Sequence, residues 1–474
     1  MSLMFKCMNI IVIKTLMKDE KIKILALDEE ILSKTEKSLQ KANFNGLSSF
    51  FTSITVPATL AVRQRSISLY LKEKLSGNTL PEVVEVRDVV KQILGELLPN
   101  KLNLKFEKKC SFMVEFKFEH KESFFDDFDW MQKIEKSEFR VKKSRKRRDE
   151  IVYHGLSNEK ILNAAKKLDY EDFVNAKQCP PTKVSTPCEV SIDFAHEQIY
   201  IAGRYNKLKR HISNSPWLIN GKLKVPDSVE SLMSSELQEL FKCERFKFSS
   251  AGREDSDVLM LGNGRPFYFE LIKPRNLVVT PFELKEIEDK LNQKNEGKIF
   301  LRDLQISSKE GVVTLKESAS TKCKSYSVLI KLSSRPSEDM LEKLNSLTDV
   351  VISQKNPSRV PRRADIVRDK IIHSLQINES KEEMNHPETL NFVNSNGKIL
   401  DSEMICRLDL KTSAGTYVKE FVHGDEGRTS PNLSDLLQID KAEVIALDVT
   451  KVFLDWPESK GKGPEFGRDV EFKS

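Results

Sequence analysis

The chain has 474 residues, 39% apolar and 31% charged, which is polar for a globular protein but too apolar for a disordered one. Its 77 Lys and Arg against 71 Asp and Glu leave a formal charge of +6, compatible with basic patches for an anionic partner such as nucleic acid and equally with a merely Lys-rich surface. The length calls for two or three domains; seven cysteines without a CxxC pair argue against a disulfide framework or a zinc knuckle; and no run of about 20 apolar residues offers a membrane span.

Scattered cysteines suit a reduced, intracellular protein. The apolar run Met8–Met17 carries Lys14 and no small-residue cleavage site follows it, so no secretory signal is expected. Ile10–Ile13 reads as a short strand and Glu29–Lys41 as a Lys-rich helix. Ser53–Tyr70 reads as strand followed by helix. Val84, Val86, Val89, Val90, Ile93, Leu94 and Leu97 recur at helical spacing, and Pro99 is expected to end that helix. Phe112, Val114, Phe116 and Phe118 alternate with Met, Glu and Lys, the pattern of a half-buried strand. These elements predict an α+β domain over the first 170 or so residues.

Lys142–Arg148 holds six cations in seven positions. Such a block fits a phosphate contact, a nuclear import signal or a solvated loop. Gly155–Tyr170 reads as a helix capped by Ser157, and Pro180, Pro181 and Pro187 mark a linker. Cys188–Phe194 and Gln198–Arg204 then read as a hairpin. Beyond it, Arg204, Lys207, Lys209 and Arg210 interleave with Tyr205 and precede Trp217, which suggests a platform for phosphates and bases. A basic strand end is the plainer alternative.

Ser249–Arg265, SSAGREDSDVLMLGNGR, is the stretch with most chemistry. Small residues let the backbone bend, Arg253 stands two before Asp255, and Glu254, Asp255 and Asp257 crowd three carboxylates into four positions. The carboxylates fit a nucleophile, a general base, a Mg²⁺ ligand set as in a nuclease, or one ion pair on a surface turn. A glycine turn at Gly262–Gly264 and a strand Pro266–Ile272 follow. Pro281–Gln293 is a helix capped by Thr280; Ile299–Ile306, Val312–Lys316 and Lys324–Lys331 are strands; Ser337 caps a helix to Leu347. Lys355, Arg359, Arg362, Arg363, Arg368 and Lys370 form another cationic block. A strand Met404–Leu410, a short helix Leu433–Leu437 and a last strand Val444–Phe453 complete a large α+β domain on a mainly antiparallel sheet.

Several segments in this order resemble one family. Arg204–Lys207 with Ser215–Trp217, AGREDSDVLMLGNGRPF (Ala251–Phe267), Lys324-Ser325-Tyr326, QKNPSRVPRRAD (Gln354–Asp365) and AGTYVKEFVHGDEGRTSPNL (Ala414–Leu433) are similar to the archaeal–eukaryotic tRNA pseudouridine-54/55 synthases, the Pus-ten family. The resemblance runs from about Gly155 to the C-terminus. It implies a catalytic domain of the pseudouridine-synthase fold at 176–474 and an N-terminal RNA-binding domain of the THUMP type at 1–175.

On this resemblance the chain is an isomerase turning uridine into pseudouridine in the TΨC arm of tRNA, without a cofactor or metal, as a monomer in nucleus or cytoplasm. Asp255 is the implied nucleophile and Arg253 helps position the flipped nucleotide. Tyr326 stacks on the target base, Lys419 pairs with the catalytic carboxylate, and Leu436 floors the pocket. Arg204, Tyr205, Lys207, Arg210, Arg265, Arg359, Arg362 and Arg363 are the candidate RNA contacts. The paired CxxC motifs of many members have no counterpart here, the usual Arg after Asp-Val is Leu259, and a His expected before the paired Arg is missing. A non-catalytic RNA-binding protein that keeps the docking surface is the alternative reading.

Overall fold

The computed structural model describes residues 29–74, 86–120, 140–143, 151–154, 158–176, 179–181, 188–360, 366–379, 381–396, 403–461, 464 and 466–467. The chain divides into two units, Met1–Glu197 and Gln198–Ser474.

In the first unit, α1 (Glu29–Ala42) leads to β1 (Ser49–Thr55), α2 (Ala58–Lys74), α3 (Val86–Leu102), β2 (Lys105–Phe106) and β3 (Phe112–Glu119). After a two-stranded ribbon, β4 (Arg140–Lys143) and β5 (Ile151–His154), come α4 (Asn158–Lys167), α5 (Tyr170–Asn175) and β6 (Glu189–His196). The sheet order is β2-β1-β3-β6, parallel except for the antiparallel β3–β6 pair. The alternation in β3 behaves as its spacing predicts. Phe112, Val114, Phe116 and Phe118 are buried and form one core with Val90, Ile93, Leu94 and Leu98 of α3.

Three expectations change here. Helix α3 runs through Pro99 to Leu102, because Leu98 and Leu102 still pack on that core and favour another turn. The expected helix Gly155–Tyr170 is the shorter α4, which ends at Lys167 before α5 begins at Tyr170, and its expected cap Ser157 lies outside the described residues. Cys188–Phe194 does not form a hairpin with Gln198–Arg204. Its strand β6 pairs with β3, so its partner stands far back in the sequence and the two strands belong to different sheets.

The second unit begins with β7 (Ile199–Lys207), a small ribbon β8 (Leu218–Ile219) and β9 (Lys222–Leu223), α6 (Val229–Phe241), β10 (Arg245–Ser250) and β11 (Leu259–Ile272). It continues through α7 (Pro281–Lys294), β12 (Ile299–Ser307), α8 (Lys309–Ala319), β13 (Lys324–Leu332), α9 (Glu338–Ser346), β14 (Thr348–Gln354) and β15 (Arg368–Asn378). The last elements are α10 (Pro387–Asn396), β16 (Met404–Thr412), α11 (Val418–His423), β17 (Thr429–Ser430), α12 (Leu433–Leu437) and β18 (Ala442–Val452).

One ten-stranded sheet runs β12-β7-β11-β18-β13-β16-β15-β14-β17, with β10 also on β11. It is antiparallel apart from the short parallel β11–β18 register at Leu259–Met260, as the mainly antiparallel expectation had it. The fold is therefore mixed α and β on mixed sheets. Its core joins Phe267 and Phe269 of β11, Val328 and Ile330 of β13, and Met233 and Leu237 of α6.

Two local readings are corrected. Val312–Lys316 is not a strand but part of α8. Val312 and Leu315, three apart, share the buried face of a helix that Ser308 caps by accepting from the Gly311 amide at 3.1 Å. Gly262–Gly264 does not end a strand. β11 continues through it with a shift of register, and Gly262, at φ +58°, lies so close to β18 that a Cβ would stand 2.0 Å from the Thr450 carbonyl.

Candidate active site

β10 and β11 pair antiparallel, and the chain between them, Ala251–Val258, carries the three carboxylates. The Ala251 amide donates to the Pro266 carbonyl at 2.9 Å, which fixes where the loop leaves the sheet. Gly252 then turns at φ +92°, packed so that a Cβ would meet Arg265 Nη1 at 2.9 Å and Lys324 Nζ at 3.2 Å. Only glycine combines that backbone with that closeness.

The loop sorts its acids by burial. Glu254 turns inward: its side chain is 1% exposed, Arg265 Nε lies 2.8 Å from Oε2, and the Tyr205 hydroxyl lies 2.9 and 3.1 Å from the two carboxylate oxygens. Asn214 donates to that hydroxyl at 2.9 Å. Burial and the Glu254 charge push the Tyr205 phenol well above its ordinary value, so it stays a donor. Arg265 is held above its usual range although burial works against its charge, because Glu254 and the phenols outweigh that cost.

Asp255 turns outward, its side chain 43% exposed. Beneath it, the Lys207 ammonium donates to the carbonyls of Asp255 at 2.9 Å, Ser256 at 3.3 Å and Ile212 at 2.9 Å, pinning the backbone. Arg359 Nη1 lies 3.0 Å and Lys419 Nζ 3.5 Å from Asp255 Oδ2, whereas Oδ1 has no partner among the described residues. Lys419 is nearer to Asp257 Oδ2, at 2.7 Å. Burial alone would raise the Asp257 carboxyl, but the hydrogen bond and charge of Lys419 win and hold it below its ordinary value. Arg359 is in turn anchored by Nε to the buried Glu420 Oε1 at 2.7 Å. Burial lowers the Arg359 guanidinium, and Glu420 and Asp255 more than restore it, so it stays charged.

These groups surround a cavity of about 450 Å³, within the about 300–1,000 Å³ usual for small-molecule sites. Asp255, Tyr326, Arg359 and Lys419 line it, Val418, Leu447 and Val449 give it apolar walls, and Arg253 stands exposed at its rim. Burial raises the Tyr326 phenol, with Arg265 opposing the shift. A neutral ring among cations and aliphatic walls suits a planar, polar ligand.

The sequence-derived candidates thus divide. Arg253, Asp255, Tyr326, Arg359 and Lys419 are brought together around one cavity, which Arg265 also touches from below. The platform of Arg204, Tyr205, Lys207 and Arg210 is not an RNA surface. The Arg204 guanidinium donates to the carbonyls of Asn263, Gly264, Leu454 and Trp456, and its burial lowers it to about 10. Tyr205 and Lys207 are fully buried, leaving no face for a base and no charge at the surface. Arg210 ties loop to sheet, donating to the Asp257 carbonyl at 2.7 Å and pairing with Asp448 and Glu388 at 2.8 and 2.6 Å. Arg265 is an internal counter-ion and is 2% exposed. Leu436 packs on the main core and does not line the cavity. Arg362, Arg363 and most of the Lys142–Arg148 block lie outside the described residues.

The carboxylate trio does not form a metal ligand set, because Glu254, Asp255 and Asp257 turn to Arg265, Arg359 and Lys419 respectively. Sequence reasoning missed Glu254 and Glu420 as anchors and passed over Lys324. The signal for Lys324 was its place two before Tyr326 on a strand, which puts both side chains on one face.

Both halves of the chain resemble known proteins. The family model described as "Pus10, C-terminal" matches residues 200–453 and the one described as "Eukaryotic Pus10, N-terminal" matches 24–193. A protein of Homo sapiens named tRNA pseudouridine synthase Pus10 is 35% identical over 436 residues, 91% of this chain and 76% of that protein. Its namesake in Xenopus laevis is 34% identical over 91% of this chain and 79% of its own length, and that of Thermofilum pendens 33% over 55% and 54%. Among solved structures, a Cbf5-Nop10-Gar1 complex aligns with 53% of this chain and 48% of that chain, at 13% identity and a TM-score of 0.25. With both halves matched in order and the similarity to the human protein extending over nearly the whole sequence, the chain belongs to the Pus10 family.

Proposed function

We propose that this protein converts uridine to pseudouridine in tRNA, within the TΨC arm at position 55 and with 54 as a second target. The observation that carries the proposal is the state of Asp255. One carboxylate oxygen is tethered by Arg359 and Lys419, and the other has no partner among the described residues at the edge of a cavity containing Tyr326. An acid so placed is an oriented nucleophile.

In this reading a flipped uridine enters the cavity. Asp255 attacks C1′ of the ribose, the C1′–N1 bond breaks, and its electron pair leaves with the ring. The ring turns, C5 bonds to C1′, the Asp255 oxygen departs, the C5 proton is lost and N1 gains one. Atoms and electrons balance, so no oxidant or group donor is required. Tyr326 covers the ring, Val418, Leu447 and Val449 keep water from C1′, and Arg359 and Lys419 hold the carboxylate in line. Arg253, exposed at the rim, suits the phosphates beside the flipped nucleotide. The N-terminal unit is read as the RNA-binding, THUMP-type domain, for which the exposed Lys37 and Lys41 of α1 offer charge.

The test is tritium release from a tRNA transcript labelled at C5 of uridine. The reaction must free that hydrogen, so wild-type protein is expected to release one tritium per pseudouridine formed, and binding of the transcript without release would contradict the proposal. Lys419→Met leaves Asp255 with Arg359 alone and Asp257 without its cation. Its single-turnover rate is expected to fall on the order of 10²-fold with tRNA affinity little changed.

A further inference from the structure

A second lysine lies in the same cavity without a partner among the described residues. Lys324 opens β13, two residues before Tyr326, and lines the cavity with it. It is only 7% exposed, yet its ammonium makes no hydrogen bond or ion pair among the described residues. Its neighbours make this costly. Arg265 of β11 and Lys370 of β15 repel it, the Cys323 side chain precedes it, and the nearby acid Glu254 already serves Arg265 and Tyr205. Lys370 differs in that it donates to the Ala414 carbonyl at 2.8 Å. Its Nζ is not sealed from solvent, so the ammonium faces into the cavity, where an oxygen of a ligand can take the place of water.

Resting on the proposed reaction, we infer that Lys324 is a further catalytic residue, whose ammonium donates to a carbonyl oxygen of the uracil ring and stabilises the ring while it is detached and anionic. The chemistry asks for such a group. When the C1′–N1 bond breaks, the electron pair spreads over the ring towards its two carbonyl oxygens, and a donor aimed at charge that develops only then favours the transition state over the bound substrate. Position selects the ring over the phosphates. Arg253 is exposed at the mouth, whereas Lys324 is buried beside Tyr326, the residue placed against the base. Gly252 leaves room for the ammonium, since a Cβ there would stand 3.2 Å from it.

Burial and the two neighbouring cations lower Lys324 from 10.5 to about 8. The rate at saturating tRNA should therefore decline as pH rises through about 8, where the ammonium is lost. Lys207 is lowered to the same value, but it meets only backbone carbonyls beneath the loop, so a variant must separate the two.

Single-turnover tritium release and tRNA binding are measured from pH 6.5 to 9.5 for wild type, Lys324→Met, Lys324→Arg and the exposed control Lys322→Met. Lys324→Met is expected to lose at least 100-fold in rate with Kd changed less than threefold, and to melt no lower than wild type because a repelled charge has gone. Lys324→Arg is expected to keep part of the rate and to lose the alkaline decline; Lys322→Met should match wild type. A wild-type rate flat to pH 9.5, a decline that persists in Lys324→Arg, or a Lys324→Met loss confined to Kd or accompanied by a lower melting temperature would overturn the inference. An inactive wild type would instead overturn the proposed reaction itself.

Discussion

Replacing Asp255 by Asn is expected to abolish pseudouridine formation while leaving a folded protein that still binds tRNA. The amide has nearly the shape of the carboxylate, so the loop is not disturbed sterically. On the proposed reaction what is lost is the negative oxygen that attacks C1′, and removing a nucleophile from a site whose parts act together costs roughly 10⁴-fold or more. The fold tolerates the change because neither cation is left alone: Arg359 retains Glu420 at 2.7 Å and Lys419 retains Asp257 at 2.7 Å. A pair on an acid exposed as Asp255 is adds about 0–1 kcal/mol. Melting temperature and tRNA affinity should therefore stay close to wild type while single-turnover release falls to background. A rate within tenfold of wild type would remove Asp255 from the chemistry.

The largest loss of stability is expected one residue earlier. Glu254→Ala takes the acceptor from Arg265, 2% exposed, and from the fully buried Tyr205. Breaking a buried pair from one side costs about 3–5 kcal/mol, because the remaining charge is desolvated and unpaired. For a unit of this size that corresponds to a fall in melting temperature on the order of 10 °C, visible by differential scanning calorimetry of the whole chain. Removing both partners as Glu254→Met with Arg265→Met should restore much of it, since buried pairs replaced by apolar side chains are often close to neutral. A double variant less stable than either single one would show that the pair contributes more than mutual neutralisation. Activity should not return in it, because Arg265 also donates to the Ala251 carbonyl at 2.8 Å, where the Asp255 loop leaves β10.

What was legible in the sequence followed burial patterns of short range. β3 shows one buried face at period two, and Thr280 and Ser337 cap the helices expected of them. Asp255, Tyr326 and Lys419 stand around one cavity, in segments that had been singled out together. The errors came where distant parts of the chain decide. β6 alternates as a strand should, but alternation does not name its partner, and β3 competes successfully with the adjacent β7. The cations of Arg204–Arg210 look like a surface because buried Lys and Arg are uncommon. Here the folded backbone supplies carbonyls from remote segments, such as Leu454 for Arg204 and Ser256 for Lys207. Glu254 and Asp255 are indistinguishable as letters; the turn at Gly252 sends one inward to Arg265 and the other outward to Arg359.

The central claim is that the Asp255 cavity makes pseudouridine in the TΨC arm. Carbodiimide treatment followed by primer extension on one unmodified tRNA transcript, after incubation with wild type or with Asp255→Ala, tests it most directly. The account predicts a stop in the TΨC loop with wild type and none with Asp255→Ala, although both bind the transcript. Stops with both proteins, or with neither while both bind, would contradict it.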